Sequence, residues 1–96
     1  MHKYTLRRKA RNDLREILKY TANKYGKIQA KKYAFDLDVG ILQVCEYPKS
    51  GLDVSYIKAD YWRINIEAHA IYYKVTNKQI DIIRILDQRV NPENWL

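Results

Sequence analysis

The residues of this chain best suited to chemistry are the cations of its C-terminal half. Four of them fall in or beside predicted strands: Arg63, Lys74, Arg84 and Arg89. A guanidinium holds a phosphate or carboxylate through two parallel N–H donors, so such cations could stabilise the pentavalent phosphate of a metal-free ribonuclease. We expect Arg63 and Arg89 to face a partner. Arg84 lies inside an apolar strand and is expected to form an ion pair with Asp81 or Asp87.

Other catalytic and metal-binding groups are scarce. His2 lies at the terminus, and His69 lies in a predicted turn, where we expect a structural or solvated role rather than general-base catalysis. Cys45 shares a helical face with Ile41 and Val44, which predicts a buried, inert thiol, and a single cysteine excludes an internal disulfide. The chain has no Gly-rich phosphate loop, HExxH or CxxC motif. We therefore predict no metal site, no cofactor and no catalytic residue.

The positive charge is concentrated at the N-terminal end. The chain has a net charge of +7, and residues 1–33 hold eleven basic side chains against only Asp13 and Glu16. Residues 34–60 are net acidic, and the remainder is close to neutral. A basic segment of this kind predicts an acidic partner, which is either a polyanion or an acidic protein segment. A lysine-rich helix face that only meets solvent is the simpler alternative.

The first predicted helix begins with three cations, Arg7, Arg8 and Lys9. A hydroxyl or carboxylate is preferred at a helix start, and cations there oppose the helix dipole. The mismatch costs only tenths of a kcal/mol at an exposed site. An anionic partner that docks at this helix start would relieve it.

The apolar periodicity of the first half predicts one strand and two helices. Residues 2–7 alternate apolar and polar side chains, which is typical of a strand. From Ala10 to about Tyr25 the apolar residues recur every three or four positions, and Gly26 is a natural stop. A second helix follows and ends before Pro48. Two helices with so short a connection predict an antiparallel hairpin.

The second half changes to the period of two that indicates strands. Pro48 to Asp60 reads as a loop, with a short extended piece at Ser55–Lys58. We expect the following turns at Ala68-His69 and Asn77-Lys78, with Asn77 tolerating positive φ. The three strands lie around Trp62–Ile66, Ala70–Val75 and Gln79–Leu86. The last of these strands is apolar on both faces, with Ile80, Ile82 and Leu86 on one side and Ile83 and Ile85 on the other, so it should be an interior strand.

These elements predict an α+β fold of order βααβββ. A helical hairpin packs on a mainly antiparallel four-stranded sheet in a single domain that spans residues 1–96. No stretch approaches the roughly 20 apolar residues of a membrane span, and the N-terminus has no apolar run that could be a signal peptide. We expect a cytoplasmic protein with no membrane partner.

Short pieces along essentially the whole chain resemble ParE-type toxins of the RelE/ParE superfamily. Any one piece is a weak indication of the family, but the order and spacing of the pieces together are fairly specific for it. The matching pieces are Tyr4-x-Leu6, Ala10-x-x-Asp13-Leu14-x-x-Ile17, Tyr20-Thr21, Tyr25-Gly26, Gln29-Ala30, Tyr33, Pro48, His69-Ala-Ile-Tyr-Tyr73, Ile83-x-Ile85-Leu86 and Arg89-Val-Asn-Pro92.

This resemblance implies the RelE/ParE-like fold and the toxin of a type II toxin–antitoxin module. It implies a cognate ParD-like antitoxin with an acidic segment, and DNA gyrase as a target that is poisoned without catalysis. Nucleic acid would then be contacted only indirectly, through gyrase or through the antitoxin bound to its operator. We place the antitoxin on the basic first helix, at Arg8, Arg11, Arg15, Lys19 and Tyr20.

Target contacts are expected at Arg63 and along the C-terminal tail. The tail residues are Arg89, Asn91, Pro92 and Trp95. We expect the tail to leave the sheet and Trp95 to anchor the target, because a buried Trp often dominates an interface. The alternative is that Trp95 folds back on the domain.

The ribosome-dependent mRNA interferases of the RelE kind share this fold and are the alternative function. They carry basic residues along the central strands, and an Arg and an aromatic hydroxyl near the C-terminus. Arg63 and Arg89 could fill two of these places, but Ala70 stands where a catalytic Arg is expected and Trp95 has no phenolic proton. The chain also departs from the ParE pattern, because Asp87 replaces a frequent His and Arg7-Arg8 replaces a hydroxyl or Pro. A homologue that is inert or has another target is the third possibility.

Overall fold

The computed structural model describes residues 2–96, which form one mixed sheet with two helices on one face. The elements in chain order are β1 (Lys3–Leu6), α1 (Arg8–Tyr25), α2 (Lys27–Glu46), β2 (Leu52–Asp53), β3 (Tyr61–Ile66), β4 (His69–Thr76), β5 (Gln79–Asp87) and a 3₁₀ turn at Pro92–Asn94. The strand order is β1-β5-β4-β3-β2, with β1 parallel to β5 and all other pairs antiparallel. The predicted α+β fold is therefore confirmed.

The sheet has one more strand than we predicted. The additional strand is β2, which contributes only two residues and pairs with Arg63 and Trp62 of β3. The extended piece expected at Ser55–Lys58 is wrong, because those residues form turns. Asp53 ends the strand there by accepting a hydrogen bond from the backbone N–H of Ser55 (2.8 Å), as in an Asx turn.

A single glycine separates the two helices. Gly26 has φ of 97°, a value that L side chains rarely adopt, and its N–H donates to the carbonyl of Ala22. The predicted helix stop is therefore confirmed. Gly40 has a different role, because a Cβ there would overlap the side chain of Ile66 on β3. Because Gly40 has no Cβ, α2 can lie close against the sheet.

The sheet is covered on both faces, by the helices on one side and by the loop and tail on the other. The helix-side core joins residues of α2, such as Leu37 and Val44, to Ile71 and Tyr73 of β4. The opposite core is made by Val54, Tyr61, Ala70, Tyr72, Ile83 and Leu86, with Ile57, Val90 and Leu96 packed against it. The predicted interior strand β5 lies between β1 and β4 and contributes to both cores, as expected.

A β-bulge changes the alternation along β5. Tyr72 pairs with Arg84 but Tyr73 pairs with Ile82, so Ile83 is an extra residue in β5. Beyond the bulge Ile85 joins the helix-side core and Leu86 joins the opposite core. The faces predicted for these two residues are wrong, because strict alternation takes no account of the inserted residue.

Both sheet turns also differ in detail from the expectation. Positive φ falls on Lys78 (60°) in the second turn rather than on Asn77. In the first turn it falls on Glu67 (50°), and His69 is already the first residue of β4. His69 therefore belongs to the sheet and not to a turn.

A partly buried ion pair attaches α1 to the sheet. Asp13 accepts two hydrogen bonds from the guanidinium of Arg84, from Nε (2.7 Å) and Nη2 (2.8 Å). The same carboxylate accepts the backbone N–H of Ile85 (3.0 Å). The side chains of Asp13 and Arg84 are only 15% and 12% exposed, and the hydrogen bonds that Arg84 donates to Asp13 raise the pKa of Arg84. The pairing of Arg84 with Asp81 or Asp87 that we expected is therefore wrong: Asp81 pairs with Arg7 and Asp87 with Arg89.

Removal of Asp13 should destabilise the fold strongly. In Asp13→Ala the charge of Arg84 stays buried without its partner, which costs about 3–5 kcal/mol of unfolding free energy. Urea unfolding followed by circular dichroism measures this loss. The matched control is Asp36→Ala, which removes a helix carboxylate from an exposed i,i+4 pair with Lys32 and should cost less than about 1 kcal/mol. Equal losses in the two variants would contradict the role assigned to Asp13.

Candidate functional site

The residues predicted to bind an antitoxin form one exposed row along α1. Arg8, Arg11, Arg15 and Lys19 are spaced three or four positions apart and are all exposed, so they share one face over about 16 Å of helix. None of the four forms a salt bridge within residues 2–96. The helix start has no side-chain cap and no acidic residue in its first turn. Several unneutralised positive charges therefore meet solvent on this face.

Tyr20, the fifth predicted residue, lies at the far end of this helix. Its ring is 59% exposed, and its hydroxyl accepts a hydrogen bond from Lys24 Nζ (3.1 Å). It lines a groove of about 830 Å³ between the helical hairpin and the end of the sheet. The groove also contains His69 and Arg89.

The groove holds a hydrogen-bonded Tyr–His pair that sequence reasoning missed. Tyr33 Oη lies 2.5 Å from His69 Nδ1, and the ring centroids are 5.5 Å apart. Burial raises the pKa of Tyr33, and burial lowers the pKa of His69. Tyr33 Oη and His69 Nδ1 therefore share one hydrogen bond, whose donor is set by the tautomer of His69. The helical period predicted that Tyr33 faces inward, but no local signal joins two residues 36 positions apart.

Arg89 also belongs to this groove and is ion-paired. Its guanidinium donates to both oxygens of Asp87 (3.0 Å each) and holds the pKa of that carboxyl far below its usual range. The Arg89 side chain nevertheless stays 90% exposed. Arg89 therefore presents a charge to solvent near Tyr20.

The tail folds back across the sheet face opposite the helices. Arg84 Nη1 donates to the carbonyl of Trp95 (3.0 Å), and the Arg84 guanidinium lies 5.8 Å from the Trp95 ring centroid. Leu96 and Val90 pack against the core of that face. The expectation that the tail leaves the sheet is therefore wrong, although Trp95 remains 51% exposed.

Asn91 and Pro92 shape this tail. The side-chain oxygen of Asn91 accepts the N–H of Glu93 (3.1 Å), and Pro92 is the first residue of the 3₁₀ turn that follows. These two predicted contact residues direct the chain toward the position of Trp95. Their observed contacts are internal to the tail.

Arg63 and Trp95 lie on the same face of the sheet. Arg63 pairs with Tyr72 across β3 and β4, and Tyr72 pairs with Arg84 across β4 and β5. The Arg63 guanidinium lies 5.5 Å from the Tyr72 ring centroid, with Nε donating to Asn65 (2.7 Å). The structure thus divides the predicted target residues between two places, with Arg89 in the groove and Arg63 and Trp95 on the sheet face.

A second, smaller cavity joins the start of α1 to the tail. It has a volume of about 360 Å³ and is lined by Arg7, Arg8, Lys9, Ile83, Arg84, Trp95 and Leu96. Arg8 of the predicted antitoxin set therefore adjoins Trp95 of the predicted target set. Tyr20 and Arg89 line the larger groove together, so members of the two sets adjoin near each end of α1.

Comparison with known proteins assigns the family. Residues 4–92 match the model of the ParE toxin of the type II toxin–antitoxin system, parDE. The chain belongs to the ParE toxin family. Toxin ParE1 of Caulobacter vibrioides is 34% identical over 95% of this chain and 94% of its own length. Toxin ParE1 of Mycobacterium tuberculosis is 30% identical over 98% of this chain and 97% of its own length.

A solved structure has the same fold as this ParE-family chain. It is described as the chromosomal ParDE TA system from P. aeruginosa and superposes with a TM-score of 0.78 over 91% of this chain and 96% of that one. Its sequence is 21% identical, so this likeness concerns the fold. Within residues 2–96, no helix has the length and apolar content needed to cross a membrane, and no group of His, Cys, Asp or Glu is placed to hold a metal ion.

The half-buried imidazole of His69 should make the stability of this ParE-family chain depend on pH. Burial lowers the pKa of His69 in the folded state, so the unfolded chain binds a proton more readily than the folded one. The unfolding free energy should therefore fall as the pH drops from 7 toward 5. Asp87 stays ionised throughout this window because its folded pKa is far lower.

Urea unfolding at pH 7.5 and pH 5 measures this effect. His69→Gln keeps a hydrogen-bonding side chain without a titrating group, so it should reduce the pH dependence. His2→Gln is the matched control and should leave the dependence as it is. If His69→Gln retained the full dependence, another group would be responsible for it.

Proposed function

We propose that this ParE-family toxin poisons DNA gyrase by binding and is neutralised by an acidic ParD-like antitoxin. The family is that of type II toxin–antitoxin toxins. The observation that carries the proposal is the row of cations on α1, which form no salt bridge within residues 2–96 and which suit an acidic chain segment. The description of the P. aeruginosa neighbour as a ParDE system supports an antitoxin of the ParD kind.

The position of this row gives a mechanism of neutralisation. The cavity that contains Arg8 and Trp95 lies at the start of α1, and the groove that contains Tyr20 and Arg89 lies at its end. An antitoxin segment that follows the row would cover both. Neutralisation then needs no rearrangement of the toxin, because the antitoxin occupies the surface by which the toxin would reach gyrase.

Trp95 is the proposed anchor for gyrase. Its half-exposed ring is held by Arg84, whose guanidinium is itself fixed by Asp13. A rigid aromatic group loses little conformational entropy when it enters a pocket. In the proposed interaction the Trp95 side chain is therefore held in place before gyrase binds. No segment of the tail has to become ordered on binding.

Binding suits this site better than RNA cleavage. Ala70, at the position expected for a catalytic Arg, is fully buried in the sheet core, so a cation there would lose its hydration. Arg89 is paired with Asp87, which leaves its charge partly neutralised. These contacts support a gyrase-directed role over that of an interferase.

Reversal of the α1 charges should weaken antitoxin binding. The triple variant Arg11→Glu, Arg15→Glu, Lys19→Glu replaces attraction by repulsion, so we expect at least about a tenfold rise in Kd, mainly through slower association. Surface plasmon resonance with a purified ParD-like antitoxin measures it at several salt concentrations. The control Lys49→Glu, Lys58→Glu, Lys78→Glu makes the same change in net charge at exposed sites elsewhere. Equal losses in both would show that net charge, not this row, sets the affinity.

A purified-gyrase assay tests the target. With plasmid DNA and ATP, the toxin should block supercoiling and leave linear DNA after protease treatment. Trp95→Ala should reduce the potency at least about tenfold, whereas Tyr56→Ala, which removes another exposed aromatic ring, should not. Urea unfolding of both variants checks that the fold is retained. An active gyrase together with cut ribosome-bound mRNA would contradict the proposal and favour the interferase.

A further inference from the structure

The outer face of α2 carries an apolar stripe that is exposed to solvent. Ile28, Phe35, Val39 and Leu42 recur at helical spacing and lie on one side of the helix. Their exposed fractions run from 40% to 87%. The opposite side of α2 is fully occupied by the helix-side core. The stripe therefore runs over about 21 Å of a helix that is already packed on its other face.

The charges of α2 are balanced but completely separated along its axis. Its three cations, Lys27, Lys31 and Lys32, precede its three acids, Asp36, Asp38 and Glu46. Cations near the N-terminus and acids near the C-terminus oppose the helix dipole. Lys32 pairs with Asp36 inside the helix, but within residues 2–96 neither Lys31 nor Glu46 has a salt-bridge partner.

From this pattern we propose that the stripe is the interface of a symmetric homodimer in which two α2 helices pack antiparallel. A twofold axis near Phe35 brings Ile28 of each copy beside Leu42 of the other. The lysine end of each helix then lies beside the acidic end of its neighbour. The same arrangement places opposite ends of the two helix dipoles side by side, so it removes the charge mismatch that the single helix carries.

The charge pattern favours a second copy over an acidic antitoxin as the occupant. The net charge of α2 is zero, and repulsion from its acidic half would offset the attraction that an acidic segment gains at its lysine half. The exposed positive surplus lies on α1 instead. A contact made by a single helix stripe is smaller than the ~800 Å² per partner of stable complexes. The dimer should therefore be weak, with a dissociation constant in the micromolar range.

Sedimentation equilibrium of the full chain at increasing concentration tests the proposal. The protein should pass from monomer to dimer, and Phe35→Glu should weaken the dimer at least about tenfold by placing an acid at the centre of the stripe. Tyr56→Glu makes the same kind of change at a ring that is 82% exposed and lies outside α2, and it should leave the dimer intact. A protein that stays monomeric at all concentrations, or equal effects of the two variants, would overturn the proposal.

Cysteine cross-linking tests the orientation of the helices without any large change in the interface. When Ile28→Cys and Leu42→Cys are mixed and oxidised, antiparallel packing predicts mostly the mixed disulfide. The native Cys45 is 1% exposed and should not compete. If disulfides between two copies of the same variant predominated, the helices would be parallel and the proposed antiparallel dimer would be overturned. A monomeric protein in which Phe35→Glu abolishes binding to a purified ParD-like antitoxin would also overturn it, because the stripe would then belong to the antitoxin.

Discussion

The partly buried ion pair of Asp13 and Arg84 is the interaction on which the arrangement of this molecule depends. The parallel pairing of β1 with β5 stops at Ile82, and beyond that point Asp13 of α1 contacts the backbone of β5 at Ile85. Asp13 supplies the acceptor that a neighbouring strand would otherwise provide, by binding the N–H of Ile85. Arg84 also donates from Nη1 to the carbonyl of Trp95. One ion pair thus fixes a helix, a strand edge and the C-terminal tail.

This attachment explains why Arg89 and Trp95 lie near the two ends of α1 although they are far from it in sequence. With α1 held at β5, its first turn meets the tail and its last turns meet the end of the sheet. A partner that covers α1 must cover both places. Because burial of an ion pair costs much of its own attraction, the value of the pair lies in specifying this geometry more than in net stability.

Both helices show the same electrostatic irregularity. Neither has an acidic residue in its first turn or a side-chain cap, and both begin with cations. Each mismatch costs only a few tenths of a kcal/mol at an exposed site, which a fold of this size tolerates. On α1 the cations lie in an open row that suits an acidic chain. On α2 they are balanced by acids further along the helix, which suits an antiparallel copy of the same helix.

The sequence by itself determined the two helices, the four longer strands, the fold class and the family resemblance. Local periodicity, Gly26 and Pro48 identify the two helices, and a run that is apolar on both faces identifies β5 as an interior strand. These features depend on contacts between near neighbours in the chain. Local patterns also placed the exposed cations of α1 correctly, because a helical period sorts its residues by face.

Only the tertiary structure decided which distant groups meet. The partner of Arg84 is 71 positions away on α1, and no local pattern distinguishes Asp13 from the nearer acids Asp81 and Asp87. The bulge at Ile83 reverses the faces of the residues after it, and the tail folds back because Arg84 and the core bind it. Such pairings are set by the long-range packing of whole helices and strands. The chemistry of a single residue does not determine which distant partner it contacts.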